Sequence, residues 1–215
     1  MNAIDRILGG FTHDELAGGT KGEYAADGSR LQIGQIPKPL RRESANAIRR
    51  RIVRTKAAAF HLGDPPAKGE EIAFIMGGEY HGLDLIIALL HSTPATCERL
   101  TIATLSTNAS NAEEIAKLVT AGKVRDVVLV ASEMFRDKSP EQFKPVKDAI
   151  EAVGGRVFAA RNHAKIALMQ MDDGARYVMH GSLNLRRCHS FEQVVIVNDA
   201  QLFEFFEGFI DSMSR

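Results

Sequence analysis

The chain has 215 residues, of which 45% are hydrophobic and 25% charged, and its 27 basic side chains balance its 27 acidic ones. This composition excludes an intrinsically disordered chain, and two cysteines, Cys97 and Cys188, are too few for a disulfide framework, so we expect free thiols. No apolar run approaches the roughly 20 residues that span a bilayer, and the first residues lack the apolar core of a signal peptide. We therefore expect a cytoplasmic protein without stable membrane insertion.

Residues 1–66 are predicted to form an N-terminal extension that contains one helix. The first 37 residues have weak periodicity, whereas residues 40–60 have a helical pattern whose apolar stripe includes Ile48, Ile52 and Ala59. The stripe predicts which face of this helix packs against other elements.

The same helix carries most of the positive charge of the extension. Residues 38–56 contain eight basic residues and one acidic residue, a charge of +7 in a chain that is neutral overall. Such a concentration is typical of a surface that binds nucleic-acid phosphates, and a solvated helix face or a contact with an anionic membrane are the alternatives. The candidates for binding DNA or RNA are Arg49, Arg50, Arg51 and Arg54.

After a Pro-rich linker, strand and helix patterns alternate along residues 67–215. A cap at Asn111 and a first-turn proline at Pro140 mark the starts of two of the helices, and Asp199 can cap the last one. Alternation that ends in a hairpin predicts an α/β sandwich with a mixed central sheet and helices on both faces. The strand patterns cover residues 72–76, 100–105, 127–130, 156–159 and 192–197, besides the hairpin.

The polar residues that can carry chemistry belong to the predicted hairpin. Alternation places His163 and Lys165 on one face of the first strand, and it places Ser182 and Asn184 on one face of the second strand. An imidazole, an ammonium, a hydroxyl and an amide in one place suit the chemistry of a phosphate diester.

The loop of the hairpin decides which of these residues face each other. The link between the strands contains an Asp-Gly pair, which favours a two-residue loop. A loop at residues 173–174 sets His163 opposite Asn184, and a loop at residues 172–173 sets it opposite Ser182. Either register places all four polar side chains on one face.

The order His163-x-Lys165, then Gly-Ser182-x-Asn184, then Glu192 resembles the signature of the phospholipase D superfamily, and especially its small single-motif nucleases. The resemblance covers the chain from about residue 70 to the C-terminus. It implies that His163 attacks phosphorus and forms a phosphohistidine, that Lys165 and Asn184 bind the phosphate, that Ser182 supports the site and that Glu192 orients the histidine. The family usually has an aspartate five residues after the lysine, where this chain has Gln170.

The resemblance implies a metal-independent phosphodiesterase, with a nuclease as the favoured reading, that needs no cofactor. The chemistry of the family uses two histidines, and this chain has one His-x-Lys motif, so we expect a homodimer that shares one active site. Cys188-His189 has no second ligand pair at zinc spacing, so no metal site is predicted. The alternatives are a catalytically degenerate module that binds nucleic acid and, less favoured, a lipid phosphodiesterase or transferase.

Overall fold

The computed structural model describes residues 45–185 and 191–213, with side chains from Arg50 onwards. These residues contain six helices and seven strands. The helices are α1 (Ala45–Leu62), α2 (Gly82–Ser92), α3 (Ala109–Thr120), α4 (Glu133–Lys138), α5 (Pro140–Glu151) and α6 (Ala200–Met213). The strands are β1 (Glu71–Met76), β2 (Cys97–Ala103), β3 (Val124–Ser132), β4 (Arg156–Ala160), β5 (Ile166–Met171), β6 (Arg176–Gly181) and β7 (Glu192–Asn198).

All seven strands form one sheet in the order β1-β7-β6-β5-β2-β3-β4. The pairs β2–β3 and β3–β4 are parallel, and every other pair of neighbours is antiparallel. The parallel strands are the ones joined through helices, because a parallel pair needs a long crossover connection. The predicted mixed sheet is therefore confirmed.

Helices cover both faces of the sheet, as predicted. On one face, side chains of the sheet pack with residues of α1, α2, α3, α4 and α5, including Leu89, Ile115 and Ile150, none of which is exposed. On the other face, a smaller cluster packs beneath Phe203 and Ile210 of α6. Burial of each such side chain contributes roughly 1.5–3 kcal/mol, so the two clusters hold the helices to the sheet.

Two of the three predicted helix starts are confirmed. Helix α5 begins at Pro140, and Asp199 caps α6 by accepting a hydrogen bond from the backbone N–H of Leu202 at 2.8 Å. The cap of α3 was placed wrongly. Asn108 caps this helix by accepting a bond from the N–H of Asn111 at 2.9 Å, which leaves the side chain of Asn111 free to reach another element.

The apolar stripe of α1 differs from the prediction. Ile52 is 51% exposed and Ala59 is also exposed, whereas Ala58 and Leu62 are buried in the main core. Ile48 lies outside the described side chains. The helix therefore packs on the sheet domain through a different face. The boundary between an extension and a domain at residues 66 and 67 stays a prediction.

The loop of the hairpin β5–β6 is one residue longer than either of the two predicted loops. Gln170 pairs with Arg176 and Met171 bonds Ala175, so the loop has three residues, 172–174. Gly174 has a φ of +93°, a conformation that glycine adopts without the steric cost of a Cβ atom. Strand pairing begins at Ile166 opposite His180, so the polar motif residues lie just beyond the paired part of the hairpin.

Candidate active site

The five predicted catalytic residues lie at one end of the sheet. His163 and Lys165 precede β5, Ser182 and Asn184 follow β6, and Glu192 is the first residue of β7. Because β6 runs antiparallel to both of its neighbours, the end of β6 lies beside the starts of β5 and β7. Topology thus brings the three motif segments to the same sheet end. There the residues of the first two segments lie on loops rather than on the strand face predicted from alternation.

His163 and Lys165 are in direct contact. Lys165 Nζ lies 2.9 Å from His163 Nδ1 and donates a hydrogen bond to the carbonyl oxygen of His163 at 2.8 Å. A lysine ammonium can only donate, so in this contact Nδ1 accepts and a neutral imidazole carries its proton on Nε2. Lys165 therefore fixes the orientation of the exposed His163 imidazole.

Lys165 is only partly exposed, and burial lowers the pKa of its ammonium below the usual value. Burial has this effect because removal of water disfavours the charged form. The negative charge of Glu192 acts in the opposite direction and raises the pKa of Lys165. The two residues are thus electrostatically coupled across the motif segments.

Ser182 and Glu192 are joined by a hydrogen bond in which the serine hydroxyl donates to the carboxylate. The hydroxyl also accepts from the backbone N–H of Gln193 at 3.1 Å, and the N–H of Ser182 donates to the carbonyl oxygen of Gln193 at 3.0 Å. These bonds fix the segment after β6 to the start of β7. Within the described residues, Glu192 forms no hydrogen bond to His163, the residue that it is predicted to orient.

Buried Asn162 fixes the segment that carries His163. Its side-chain N–H₂ donates to the carbonyl oxygens of Thr104 at 3.3 Å and Val130 at 3.1 Å, and its side-chain oxygen accepts from the N–H of Ala164 at 2.7 Å. Both halves of the amide are used, as a buried polar group requires. The residue before His163 is thereby attached to the carboxyl ends of β2 and β3.

The segment after β6 is attached to the same end of the sheet. Thr104, which is 1% exposed, places its hydroxyl 3.5 Å from the side-chain oxygen of Asn184. Asn111 donates its side-chain amide to the carbonyl oxygen of Leu185 at 2.6 Å. Thr104 therefore contacts both motif segments, one through Asn162 and the other through Asn184.

Sequence reasoning did not identify Thr104, Asn111 or Asn162 as part of the site. The position of Asn162 directly before the motif histidine is the one signal that the sequence offers. Gln170, at the position where the family usually has aspartate, lies in β5 and donates to the carboxylate of Glu98 at 3.1 Å. It is thus engaged with β2, away from the motif segments.

The predicted nucleic-acid contacts of α1 have different environments. Arg50 is exposed. Arg51 donates to the carboxylate of Glu114 at 2.6 Å, and Arg54 donates to that of Asp84 at 3.0 Å. The side chain of Arg49 lies outside the described residues. Two of the four arginines therefore connect α1 to neighbouring helices, and phosphate binding by this helix stays a prediction.

Residues 45–185 and 191–213 contain no cluster of three or more His, Cys, Asp or Glu side chains that could hold a metal ion. In the same residues, no helix combines the length and the apolar character needed to cross a membrane.

Cys97 is buried as a free thiol, and burial raises its pKa to about 12, whereas Cys188 lies outside the described residues.

The solved structures to which the chain is similar include the following two. Nuc from Salmonella typhimurium, a phospholipase D family member, aligns with a TM-score of 0.47 and 21% identity over 67% of this chain and 94% of its own. Yeast tyrosyl-DNA phosphodiesterase aligns with a TM-score of 0.37 and 12% identity over 59% of this chain and 31% of its own. No protein-family model matches the chain, and no curated protein matches its sequence.

Proposed function

We propose that this protein is a metal-independent phosphodiesterase, with nucleic acid as its substrate and His163 as its nucleophile. The observation that carries the proposal is the meeting of two bonded pairs at one sheet end, His163 with Lys165 and Ser182 with Glu192. The first pair supplies a nucleophile and a cation for the phosphate, and the second supplies a hydroxyl and a carboxylate.

The reaction would proceed in two displacements. As substrate binds, a nonbridging phosphate oxygen takes the place of His163 as the partner of Lys165, which frees the imidazole. A ring nitrogen then attacks phosphorus, the N–P bond forms as the P–O bond breaks, and the leaving oxygen takes a proton from a general acid. In the second step water attacks the phosphohistidine and gives its proton to the group that acted as general acid in the first step, so that the N–P bond breaks and both groups are regenerated. Asn184 would hold the second nonbridging oxygen.

The general acid is proposed to be the His163 imidazole of a second copy, across a two-fold axis. Light scattering is expected to give twice the 23.5 kDa chain mass. When wild type is mixed with a His163→Ala variant, the heterodimers are expected to turn over far more slowly than wild type, because each site needs both histidines. A monomer with full activity would refute this arrangement.

The test of the function compares wild type with His163→Ala on labelled single- and double-stranded DNA and RNA in excess EDTA. His91→Ala is the matched control, since His91 is an exposed histidine at the end of α2. We expect cleavage by wild type and His91→Ala and none by His163→Ala. Activity that disappears in EDTA and returns with magnesium or zinc would refute the metal-independent mechanism.

A second candidate function is a module that binds nucleic acid without cleaving it. It is favoured by Gln170, which stands where the family usually has aspartate, and by Glu192, which bonds Ser182 rather than the imidazole. Binding of the same oligonucleotides without any cleavage by wild type would support this candidate over the phosphodiesterase.

A further inference from the structure

A groove of about 470 Å³ lies directly beside His163. It follows the carboxyl ends of β3 and β4, and His163 lies at one side of it. Ligand sites in open α/β sheets commonly occupy this position, and the volume is within the range of small-molecule sites. The residues that define it here are Leu105, Glu133, Met134, Ala160, Arg161 and His163.

The buried polar groups of this groove are already satisfied within the protein. The hydroxyl of Ser132 donates to the carbonyl oxygen of Leu105 at 2.7 Å and accepts from the N–H of Phe135 at 2.9 Å. The amide of Asn162 is used on both sides, as described above. The buried polar atoms of the groove therefore need no ligand as a partner, and the half-buried carboxylate of Glu133 is the acidic group in its lining.

What the groove offers instead is apolar surface. Met134 is 53% exposed, and Leu105 and Ala160 are half-buried. Apolar side chains gain burial and dispersion energy when they pack against the flat face of an aromatic ring. Every nucleobase has such a face, so stacking there tolerates any sequence.

The charge beside the groove indicates a substrate with more than one phosphate. Arg161 is exposed and forms no ion pair in the described part of the chain, although it is separated from His163 by a single residue. Lys165 already serves the phosphate that His163 attacks. A second cation near the same groove fits a second phosphate, and a nucleic acid has one at each neighbouring nucleotide, whereas a simple phospholipid diester has only one.

We infer that this groove binds the nucleoside next to the scissile phosphate, with its base against Met134 and the following phosphate at Arg161. The inference rests on the proposed function and specifies its substrate as single-stranded nucleic acid, because a base held in the groove is not paired with a complementary strand.

The test uses dinucleotides, in which only one phosphate can be cleaved. The values of kcat/KM are compared for TpT and for two analogues in which one base or the other is replaced by hydrogen. Loss of the base that occupies the groove is expected to lower kcat/KM by roughly 3- to 30-fold, because the exposed part of Met134 then stays in water. Met134→Ala should lower the value for TpT similarly and leave that of the sensitive analogue unchanged. Ile75→Ala, which removes another exposed apolar side chain, is the control.

The role of Arg161 is tested with a trinucleotide in which the phosphate next to the scissile one is either charged or replaced by a neutral methylphosphonate. Arg161→Gln is expected to lower kcat/KM for the charged trinucleotide about 10-fold and to leave the neutral one unchanged. Equal effects on both would overturn the assignment of Arg161.

The outcomes separate this inference from the proposed function. If wild type cleaves no phosphodiester at all, the proposed function fails. If it cleaves TpT and both analogues equally, in a reaction that needs His163, the function stands and the groove does not bind a base. If Met134→Ala impairs cleavage of a short-chain phospholipid diester but not of TpT, the groove binds an acyl chain and the inference is wrong.

Discussion

The side-chain amide of Asn162 donates a hydrogen bond to the carbonyl oxygen of Thr104 at 3.3 Å. This contact joins the residue before His163 to the residue that follows β2, and the hydroxyl of the same threonine lies 3.5 Å from the side-chain oxygen of Asn184. The two motif segments, which are about twenty residues apart in sequence, thus share one buried anchor. The position of the proposed nucleophile depends on side chains that take no part in the chemistry.

Asn162→Asp is expected to impair catalysis more than stability alone explains. The new side chain keeps the acceptor for the N–H of Ala164 but replaces the donor to Thr104 and Val130 with an oxygen that repels both carbonyls. We expect a loss of about 1–3 kcal/mol in the free energy of unfolding, measured in urea, and a fall of about 100-fold in kcat from misplacement of His163.

Asn198→Asp is the matched control for this variant. Asn198 is also buried, donates to the carbonyl oxygen of Pro66 at 3.2 Å and accepts from the N–H of Arg176 at 3.1 Å, but it lies at the opposite end of the sheet. A similar loss of stability with unchanged kcat at a temperature where both variants are folded is expected. Equal falls in kcat for the two variants would show that Asn162 acts only through stability.

The negative charge of Glu192 should affect the pH range in which Lys165 stays protonated and the enzyme stays active. Burial lowers the pKa of Lys165, and the charge of Glu192 partly offsets this effect. Glu192→Gln removes the offset, so the pKa of Lys165 should fall further and the alkaline limb of the kcat/KM profile should move to lower pH. Titration of the Lys165 side chain by NMR measures the shift directly. Glu141→Gln, a change on the exposed face of α5, should leave it unchanged; a rise of the pKa in Glu192→Gln would contradict the coupling.

The sequence was sufficient to predict the sheet, the helix starts at Pro140 and Asp199, and the grouping of the motif residues. It was not sufficient for features that depend on distant contacts. Asn108 and Asn111 are both good helix caps, and the choice depends on the carbonyl of Leu185, to which Asn111 bonds instead.

The exposed face of α1 differs from the prediction because contacts with other helices help to determine it. Arg51 and Arg54 form ion pairs with Glu114 and Asp84 on neighbouring helices, and these bonds help to fix which side of α1 faces inward, whatever its apolar stripe favours.

In the hairpin, Asp-Gly fits a two-residue loop and also a three-residue loop with Gly174 in the left-handed region. The longer loop changes the register by one residue, and the motif residues lie beyond the last paired residues of the hairpin.

Gly181 is expected to tolerate no side chain. A Cβ atom at this position would lie 2.2 Å from the carbonyl oxygen of Gln193 on the adjacent strand, where no flexible side chain can move aside. Gly181→Ala should therefore separate β6 from β7 at the site, weaken the bond between Ser182 and Glu192, and lower the free energy of unfolding by about 1–3 kcal/mol. Thermal or urea unfolding measures the loss.

Gly208→Ala is the control for Gly181→Ala. Gly208 lies inside α6, and a Cβ atom there would meet nothing within 4 Å. Because alanine favours a helix interior over glycine, this variant should be more stable than wild type by roughly 0.5–1 kcal/mol. A Gly181→Ala protein as stable as wild type would show that the two strands can separate at no cost.

The arginines of α1 should divide into two classes. Arg54 bonds Asp84, a residue that is 3% exposed and whose carboxylate also accepts from the N–H of His81 at 2.8 Å. Arg54→Gln therefore leaves a buried charge with one partner fewer. We expect this variant to lose about 1–3 kcal/mol of stability. Arg50 is exposed, and Arg50→Gln should stay within about 0.5 kcal/mol of wild type.

Binding of a fluorescent oligonucleotide at several salt concentrations then tests whether the helix contacts nucleic acid. If Arg50 neutralises one phosphate, Arg50→Gln should weaken binding and reduce the slope of log K against log salt by about 0.7–0.9, because one fewer counterion is released. It should leave kcat at saturating substrate unchanged, since Arg50 lies on α1, outside the motif segments. Lys144→Gln, which removes an exposed cation from α5, is the control. Equal affinities and slopes for wild type and Arg50→Gln would mean that Arg50 belongs to a solvated helix face.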